Sequence, residues 1–258
     1  MKAQIDLTGI GVLVTRPEQQ AAALCDLIRA VGGRPVCFPA LEILPQSEDE
    51  ILQKRLGRLA SGDLLIFISP NAVAHGLPMI ERAGGLPDGV EVAAVGLGTE
   101  QALRRAGVQV AIRPAGRFDS EGLLQTAAMQ QVSGRRVVIV RGVGGRALLG
   151  DTLRERGARV EYTEVYRRSL PQVDAGPLLA RWHEEVDVVI VTSVNILDNL
   201  ITLLGEAGIA LLRQTPMVLV SERIAVKAYD LGVRNLIRAP GAGNDALLAA
   251  LGEWASGR

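Results

Sequence analysis

The chain contains two copies of one long pattern, and this duplication constrains its fold more than any other feature. F-I-S-P-N-A-V at residues 67–73 returns as V-T-S-V-N-I-L at residues 191–197, which is 124 positions later. Further equivalent pairs lie 124 to 126 positions apart, among them Val95 and Val220, Gly107 and Gly232, and Pro114 and Pro240. A unit that fills about half of a 258-residue chain is too long for a solenoid repeat, and it predicts two related domains.

Each copy alternates apolar runs with segments of helical pattern. Short β-branched runs such as residues 64–68 and 188–191 lack polar alternation, which is typical of strands covered on both faces. The elements of one copy are predicted in the order β-α-β, β-α, β-α-β, α. Such alternation indicates an α/β protein with two doubly wound, flavodoxin-like domains, each built on a parallel sheet with right-handed crossovers.

The repeat leaves the connection between the domains open. The domains follow one another with a boundary near Gly134, or the chain crosses between them after each β-α-β unit. Extended segments that stop at Pro45 and Pro171 suit two linkers, because proline is tolerated there. Under the second scheme, the first domain is residues 1–40 plus 171–258, the second is 45–166, and the linkers are 41–44 and 167–170.

Composition indicates a soluble globular protein, with 48% hydrophobic and 22% charged residues. The 28 basic and 28 acidic residues cancel, so net charge gives no argument for a nucleic-acid or membrane partner. No signal-peptide segment and no run approaching a membrane span is expected, which places the protein in the cytoplasm. Cys25 and Cys37 form no metal-ligand or C-x-x-C spacing, and we expect them to be small buried hydrophobic residues.

Polar side chains follow the apolar strands in both copies. Ser69 and Asn71, like Ser193 and Asn195, stand where a strand ends and a helix begins. One interpretation is that their oxygens cap free helical N–H groups. The other is that they line a ligand site, because ligands of open α/β sheets bind beyond the carboxyl ends of the strands.

Two glycine-rich segments favour different interpretations. G-L-G-T-E-Q at residues 96–101 lacks the third glycine of a dinucleotide loop, which argues against a nicotinamide site. R-G-V-G-G-R at residues 141–146 follows a strand and precedes a helix, but no G-K-[ST] follows it. We therefore predict a carboxylate-binding site formed by Arg141, Gly144, Gly145 and Arg146. His75 and His183 lie on predicted helices without a metal-ligand pattern, and no G-x-S-x-G elbow supports hydrolase chemistry.

Six motifs together give the chain a resemblance to a known family. They are V-T-R-P, F-I-S-P-N-A-V, V-A-A-V-G-L-G-T-E-Q-A-L, E-V-Y-R-R before a proline, V-T-S-V-N and L-V-S-E-R-I-A. In this order and spacing they resemble uroporphyrinogen-III synthase over essentially the whole chain. The resemblance implies two flavodoxin-like domains joined by a two-stranded linker, with a cleft between them and the chain crossing as in the second scheme.

The resemblance also implies a reaction. The linear tetrapyrrole hydroxymethylbilane closes to uroporphyrinogen III, with loss of water and inversion of the last pyrrole ring. No metal, nucleotide or redox cofactor is expected. The unassisted reaction gives the uninverted isomer, so the protein must hold a flexible substrate in the ring-inverting geometry. Helix N-termini suit the eight carboxylates of this substrate even in a chain without net charge.

Roles for individual residues follow from the same resemblance. Tyr166 matches a linker tyrosine of the family and is predicted to donate a hydrogen bond or a proton as the terminal hydroxyl leaves. Thr99 matches a threonine of the family at a helix start, where it either binds the substrate or caps the helix. In the last unit, Ser221 stands where other members have glycine, and Ser221 or Arg223 could replace a threonine role there. The loop residues predicted to contact substrate carboxylates are Arg16, Ser69, Asn71, Ser193, Asn195 and Ser221.

Two other classes of protein share parts of this pattern. A non-catalytic protein whose two α/β lobes close on an anionic small molecule would have the same repeat, and only turnover would distinguish it. A nucleotide-dependent enzyme would bind NAD or ATP measurably. We expect a monomer, because the repeat already supplies an internal partner.

Overall fold

The computed structural model describes residues 5–47 and 50–257. Residues 1–4, part of the start on which the expectation of no signal peptide rests, lie outside the described residues. In chain order the elements are β1 (Gly11–Val14), α1 (Glu18–Ala30), β2 (Arg34–Cys37), β3 (Glu42–Pro45), α2 (Glu50–Leu56), β4 (Leu64–Phe67), α3 (Pro70–Arg82), β5 (Glu91–Ala94), α4 (Leu97–Arg105), α5 (Ser120–Leu124) and α6 (Ala127–Gln130). They continue with β6 (Arg136–Gly142), α7 (Leu148–Glu155), β7 (Arg159–Ser169), α8 (Gly176–Ala180), α9 (Trp182–Glu185), β8 (Val188–Val191), α10 (Val194–Gln214), β9 (Met217–Leu219), α11 (Glu222–Leu231), β10 (Leu236–Arg238) and α12 (Asn244–Ser256).

The chain divides into two compact units. Unit 1 consists of Met1–Glu42 and Ser169–Arg258, and unit 2 consists of Ile43–Arg168. The chain therefore enters unit 2 once and leaves it once. Each unit contains one five-stranded sheet.

Unit 1 has the strand order β10-β9-β8-β1-β2, and all four neighbouring pairs are parallel. The central strands β1 and β8 are buried along their whole length, as their valine-rich, non-alternating sequences predict. Helices α1 and α12 pack against each other beside this sheet. The core between them includes Leu24, Ile28, Leu247 and Leu251.

Unit 2 has the strand order β3-β7-β6-β4-β5, and β6 pairs in parallel with both β4 and β7. The series β7-β6-β4-β5 repeats the unit 1 series β2-β1-β8-β9 with a different chain connection. Apolar clusters lie on both faces of the sheet, one around Phe67 and Met79 and one around Ile66 and Met129. The last strand predicted for the first copy is reduced to an isolated bridge between Ala93 and Ile112, although backbone hydrogen bonds join Ala111 and Ile112 to Val92 of β5.

Glycines at equivalent helix ends confirm the repeat at the level of the backbone. Gly32 and Gly157 have φ values of +83° and +85°, and Gly107 and Gly232 have φ values of +77° and +103°. These left-handed conformations favour glycine, because they are strained for residues with a Cβ atom. The same local chemistry therefore ends the corresponding helices in both copies.

Helix α10 is more apolar than the sequence analysis expects. Among the described residues it is the one helix that is long and apolar enough to cross a membrane by length and composition. Gly205 breaks it with φ 61° and ψ −166°, and Leu200, Leu204 and Leu212 are buried within unit 1. One such helix is weak evidence for a membrane span, and α10 contacts β8, α8 and α11 of unit 1.

Candidate active site

The predicted site residues lie at or near the carboxyl ends of strands in both units. In unit 1, they follow β1, β8 and β9 and are Arg16, Ser193, Asn195, Ser221 and Arg223. In unit 2, they follow β4, β5 and β6 or lie on β6 and β7, and they are Ser69, Asn71, Thr99, Arg141, Gly144, Gly145, Arg146 and Tyr166. Because the strands of each unit that precede these loops are parallel, the loops of one unit meet at one edge of its sheet.

Ser69 connects a helix cap to the predicted catalytic tyrosine. Its Oγ accepts a hydrogen bond of 3.1 Å from the N–H of Ala72, which caps α3. The same Oγ lies 3.1 Å from the hydroxyl oxygen of Tyr166 on β7. The cap interpretation of Ser69 is therefore confirmed, and the capping oxygen also shares a hydrogen bond with Tyr166.

Tyr166 itself is only 1% exposed. Its ring packs against Gly142 of β6, where an added Cβ would lie 2.6 Å from two of the ring carbons. The ring of His75 lies 5.9 Å away between centroids, and the guanidinium carbon of Arg168 lies 5.9 Å from the ring centre. Tyr166 is thus held behind Ser69 rather than presented to solvent, and Ser69 is half-buried.

His75 is a neighbour of this pair that the sequence analysis assigns to a helix face. It does lie on α3, but its Nε2 atom is buried and has no hydrogen-bond partner among the described residues. Burial lowers the pKa of His75 below its usual value, so the neutral ring is favoured. Only the tertiary packing of α3 beside β7 brings this ring to Tyr166.

Thr99 is buried in the first turn of α4, with 3% exposure. The capping residue of this helix is Gly96, and no side chain caps it. Gly98, beside Thr99, lies close enough to Pro70 that an added Cβ would be 3.5 Å from the proline ring. The starts of α3 and α4, and with them Ser69 and Thr99, are therefore neighbours at the edge of the sheet.

Exposed apolar side chains also follow the strands of unit 2, and they were not predicted from the sequence. Four large residues in the loops and helix starts after β5 and β6 are 41% to 44% exposed, namely Leu97, Phe118, Val143 and Leu148. Large apolar side chains at a ligand edge suit a ligand with flat apolar parts. No sequence signal separates them from buried residues, because each stands among other apolar residues or in a loop.

The glycine-rich loop after β6 is already satisfied by acidic side chains. The N–H of Gly144 donates to Glu164 at 3.2 Å, and the Nε of Arg141 lies 3.9 Å from the same carboxylate. Arg141 is 5% exposed and stacks over the Tyr162 ring at 4.6 Å. Gly145 fits closely over this guanidinium, since an added Cβ would lie 2.7 Å from Arg141 Nη2.

Arg146, the last residue of this loop, pairs with Glu121 of α5 at 3.2 Å. Gly144 and Gly145 have φ values of +72° and +97°, which favour glycine, and the carboxylate-binding role of the loop stays a prediction. Its carboxylate comes from the chain itself, through Glu164. An external carboxylate must displace that side chain before it can use the Gly144 N–H group.

Arg16 is a half-buried cation of unit 1 whose guanidinium group bonds to neutral side chains. Its Nη1 donates to Asn244 at 2.8 Å and its Nη2 to Gln20 at 3.3 Å, and both partners are neutral. Its Nε is buried without a partner, and no carboxylate pairs with it among the described residues. Burial lowers the pKa of the Arg16 guanidinium, which shows the cost of leaving this charge without an anion.

The interaction with Arg16 also involves the start of α12. Asn and Asp are preferred as helix caps, and Asn244 and Asp245 stand at this helix start, but Gly243 occupies the cap position and no side chain caps the helix. Asn244 is the first helical residue, and its amide oxygen accepts from Arg16 instead. The hydrogen bond from Arg16, which is distant in the chain, thus replaces a local bond between Asn244 and the N–H groups of α12.

The remaining residues of unit 1 form two helix starts. Ser193 has φ −156° and ψ 159°, nearly the values of Ser69, and its Oγ accepts from Ile196 N–H at 3.2 Å. Asn195 is exposed in the first turn of α10. Ser221 holds the cap position of α11 without a side-chain bond, and Arg223 is exposed in the first turn of that helix.

Metal ligation has no support in these clusters. Across residues 5–47 and 50–257, no group of three or more His, Cys, Asp or Glu side chains is placed to hold a metal ion. The polar groups at the strand ends are hydroxyls, N–H groups and arginines, which are donors to carboxylates.

Fold and site together define an α/β protein with parallel sheets whose candidate ligand contacts are donors at the strand ends. Comparison with known proteins makes this more specific: the chain belongs to the uroporphyrinogen-III synthase family. The family model described as "Uroporphyrinogen-III synthase HemD" matches residues 22–249.

Relatives and solved structures agree with this assignment. The chain is 36% identical over 245 residues to uroporphyrinogen-III synthase of Salmonella typhimurium, with 94% of this chain and 100% of the relative covered. It is 36% identical over 248 residues to the Escherichia coli enzyme, at the same coverage. Crystal structures of the synthases from Thermus thermophilus and Helicobacter pylori superpose with TM-scores of 0.62 and 0.60 at 19% and 14% identity. They cover 96% of this chain, and 100% and 99% of their own, and these structures support the fold.

Proposed function

We propose that this protein is an enzyme that closes hydroxymethylbilane to uroporphyrinogen III, inverting the last pyrrole ring and releasing water, in tetrapyrrole and haem biosynthesis. The observation that carries this proposal is 36% identity to uroporphyrinogen-III synthases over 94% of the chain. The same observation disfavours a non-catalytic binding protein. A nucleotide-dependent enzyme also loses support from this similarity, because the relatives concerned are uroporphyrinogen-III synthases.

We propose that each unit is a flavodoxin-like domain, with boundaries at residues 1–40 plus 171–258 and at 45–166. The unit 1 strand order β2-β1-β8-β9-β10 supports this, because it is the order 2-1-3-4-5 of that fold. We assign residues 41–44 and 167–170 to a two-stranded linker. The neighbouring positions of β3 and β7 in the strand order support that assignment.

The substrate proposed here carries eight carboxylates on flat pyrrole rings. Arg16 suits one carboxylate best, because its charge is desolvated, its Nε has no partner and its other bonds go to neutral groups. The helix starts at Ser193, Ser221 and Thr99 offer N–H groups and hydroxyls for others. The exposed apolar side chains after β5 and β6 would contact the rings. Asn71, Asn195 and Arg223 lie in the first turns of α3, α10 and α11, and they would provide further contacts.

The loop of Arg141, Gly144, Gly145 and Arg146 is the weakest of these proposed contacts. Glu164 and Glu121 already occupy its donors. Binding of a substrate carboxylate there requires exchange with Glu164, at the desolvation cost of moving a paired charge.

For the chemical step, we propose that Tyr166 acts through Ser69. Tyr166 is 1% exposed, so its hydroxyl does not face a ligand, whereas Ser69 is half-buried. If the Tyr166 hydroxyl donates a hydrogen bond to Ser69 Oγ, the hydroxyl proton of Ser69 is free to point outward. Ser69 would then donate to the hydroxyl that leaves from the substrate, and Tyr166 would support the charge that this transfer creates on Ser69.

We also propose that the protein works in the cytoplasm as a monomer, without a metal or organic cofactor. Its bacterial relatives, which are uroporphyrinogen-III synthases, support this location. Light scattering after size-exclusion chromatography would test the monomer, and a mass near twice 27.4 kDa would contradict it.

Complementation tests the proposed activity in cells. The gene is expressed in a bacterium that lacks its own uroporphyrinogen-III synthase and cannot grow without added haem. We expect growth without haem. Failure to grow, with the protein present in the soluble fraction, would contradict the proposed function.

A further inference from the structure

The two cysteines of the chain meet in space although their spacing in the sequence shows no motif. Cys25 lies on α1, and Cys37 is the last residue of β2. Their sulfur atoms are 2.8 Å apart. A disulfide requires a sulfur–sulfur distance of about 2.05 Å, so a small movement of the two side chains closes the bond. Strand β2 runs back along α1 in the opposite direction and so brings the two sulfur atoms together. The spacing of the cysteines in the sequence does not reveal this contact.

The two thiols differ in their access to solvent. Cys37 is exposed, and it lies on β2, which is an edge strand of the unit 1 sheet. Cys25 is buried. Burial, followed by the hydrogen bond and charge of Cys37, raises the pKa of the Cys25 thiol to about 12. An oxidant in solution therefore reaches Cys37 first, and Cys25 is placed to react with the oxidised sulfur.

We propose that Cys25 and Cys37 form a reversible oxidation site that closes to an intramolecular disulfide when a peroxide reacts with Cys37. The Cys37 thiolate attacks a peroxide oxygen, the O–O bond breaks, and a sulfenic acid and water form after proton transfer. The Cys25 sulfur then attacks the Cys37 sulfur, the S–O bond breaks, and the leaving hydroxide takes the Cys25 proton to form a second water. Two thiols and one hydrogen peroxide thus give one disulfide and two waters.

Reduction reverses this change by exchange with a dithiol. The thiolate of the reductant attacks one sulfur of the disulfide, and its second thiol releases the protein in the two-thiol form. Intracellular disulfides are usually transient and redox-sensing, which suits a pair with one exposed sulfur. A metal site is a poorer use of the pair, because no third ligand stands beside it among the described residues. The proposal does not depend on the synthase reaction.

Peptide mapping after oxidation tests the proposal. Purified protein is treated with hydrogen peroxide, free thiols are blocked with N-ethylmaleimide in denaturant, and the protein is digested with trypsin. Trypsin cleaves after Arg29 but not at Arg16–Pro17 or Arg34–Pro35, so the cysteines fall on separate peptides, residues 3–29 and 30–54. We expect these peptides to be joined by a disulfide, and blocked thiols to fall from two per chain to none. Dithiothreitol should restore both thiols.

Two variants serve as controls. Cys25→Ala keeps the exposed thiol and removes its partner, so peroxide should carry Cys37 to sulfinic acid or to a disulfide between two chains. Cys37→Ser should leave Cys25 unmodified under the same treatment. Overoxidised Cys37 without the joined peptides in the natural protein would overturn the proposal, and so would a disulfide that links two chains. Peptide mapping of the natural protein requires no substitution, so it remains decisive even if a variant fails to fold.

Discussion

Ser69 makes two hydrogen bonds, one that caps α3 and one to Tyr166. Alanine variants at Ser69 and at its counterpart in the repeat can separate the energies of these two bonds. Ser193 has the same backbone conformation and the same cap bond as Ser69. Tyr166 adds a second bond only at Ser69. Loss of an N-cap costs about 1 kcal/mol. We therefore expect Ser193→Ala to lower the free energy of unfolding of unit 1 by about 1 kcal/mol.

Ser69→Ala should cost more, because it leaves the buried hydroxyl of Tyr166 without its partner. An unsatisfied buried hydroxyl costs about 1–3 kcal/mol, so the total loss in unit 2 is about 2–4 kcal/mol. In a Tyr166→Phe background no such hydroxyl remains, and Ser69→Ala should again cost about 1 kcal/mol. The coupling energy between the two positions is then about 1–3 kcal/mol.

Urea unfolding must be followed separately in the two units. Trp182 and Trp254 both lie in unit 1 and are the two tryptophans of the chain, so their fluorescence reports unit 1. Hydrogen exchange of β4 and α3 peptides, measured by mass spectrometry, reports unit 2. Equal losses for Ser69→Ala and Ser193→Ala, or a coupling energy near zero, would refute the bond between Ser69 and Tyr166.

The same variants test the proposed relay. We expect Tyr166→Phe to lower kcat by about tenfold to a hundredfold and still form product, because many contacts share the work of orienting the substrate. Adding Ser69→Ala should lower kcat little further, since both groups act in one chain of hydrogen bonds. Losses that multiply would contradict the relay. A Tyr166→Phe protein without detectable product would show that the hydroxyl is indispensable.

Three further variants test single features. Arg16→Gln should raise KM about tenfold to a hundredfold and leave kcat nearly unchanged, because a bond to a charged group contributes about 1.5–3 kcal/mol; an unchanged KM would exclude Arg16 as a carboxylate contact. Burial lowers the pKa of His75 in the folded state. Below about pH 6.5 the unfolded state therefore binds more protons than the folded state, and the free energy of unfolding falls as the pH falls. His75→Gln should flatten that decline in urea unfolding between pH 5 and 6.5, and a slope equal to that of the natural protein would contradict this. Gly142→Ala should cost about 1–3 kcal/mol because its Cβ meets the Tyr166 ring at 2.6 Å, whereas Gly116→Ala, with open space around it, should not. Equal stabilities of these two alanine variants would contradict the close packing.

Features set by local chemistry could be predicted from the sequence. The apolar runs at β1, β4 and β8 are strands, and Ser69 and Ser193 cap helices, because neighbouring residues suffice for these choices. The repeat predicts which strands correspond, and Gly107 and Gly232 show the same left-handed conformation at corresponding helix ends. The family resemblance was also confirmed by the comparisons.

Features set by distant contacts could not be predicted. The carboxylate of Glu164 fills the glycine-rich loop from the neighbouring strand, and no pattern within the loop indicates it. Arg16 donates a hydrogen bond to the amide oxygen of Asn244, which lies 228 residues away in the chain. The contact between Cys25 and Cys37 and the burial of Tyr166 likewise depend on how helices and strands pack. The roles proposed for the site residues remain predictions.

The most direct measurement is the isomer composition of the product. Purified protein is given freshly generated hydroxymethylbilane without any cofactor, the products are oxidised, and the type I and type III isomers are separated by chromatography. A ring-inverting synthase predicts mostly type III, formed faster than the protein-free reaction forms type I. Type I alone, at the rate of the protein-free control, would contradict the proposed function.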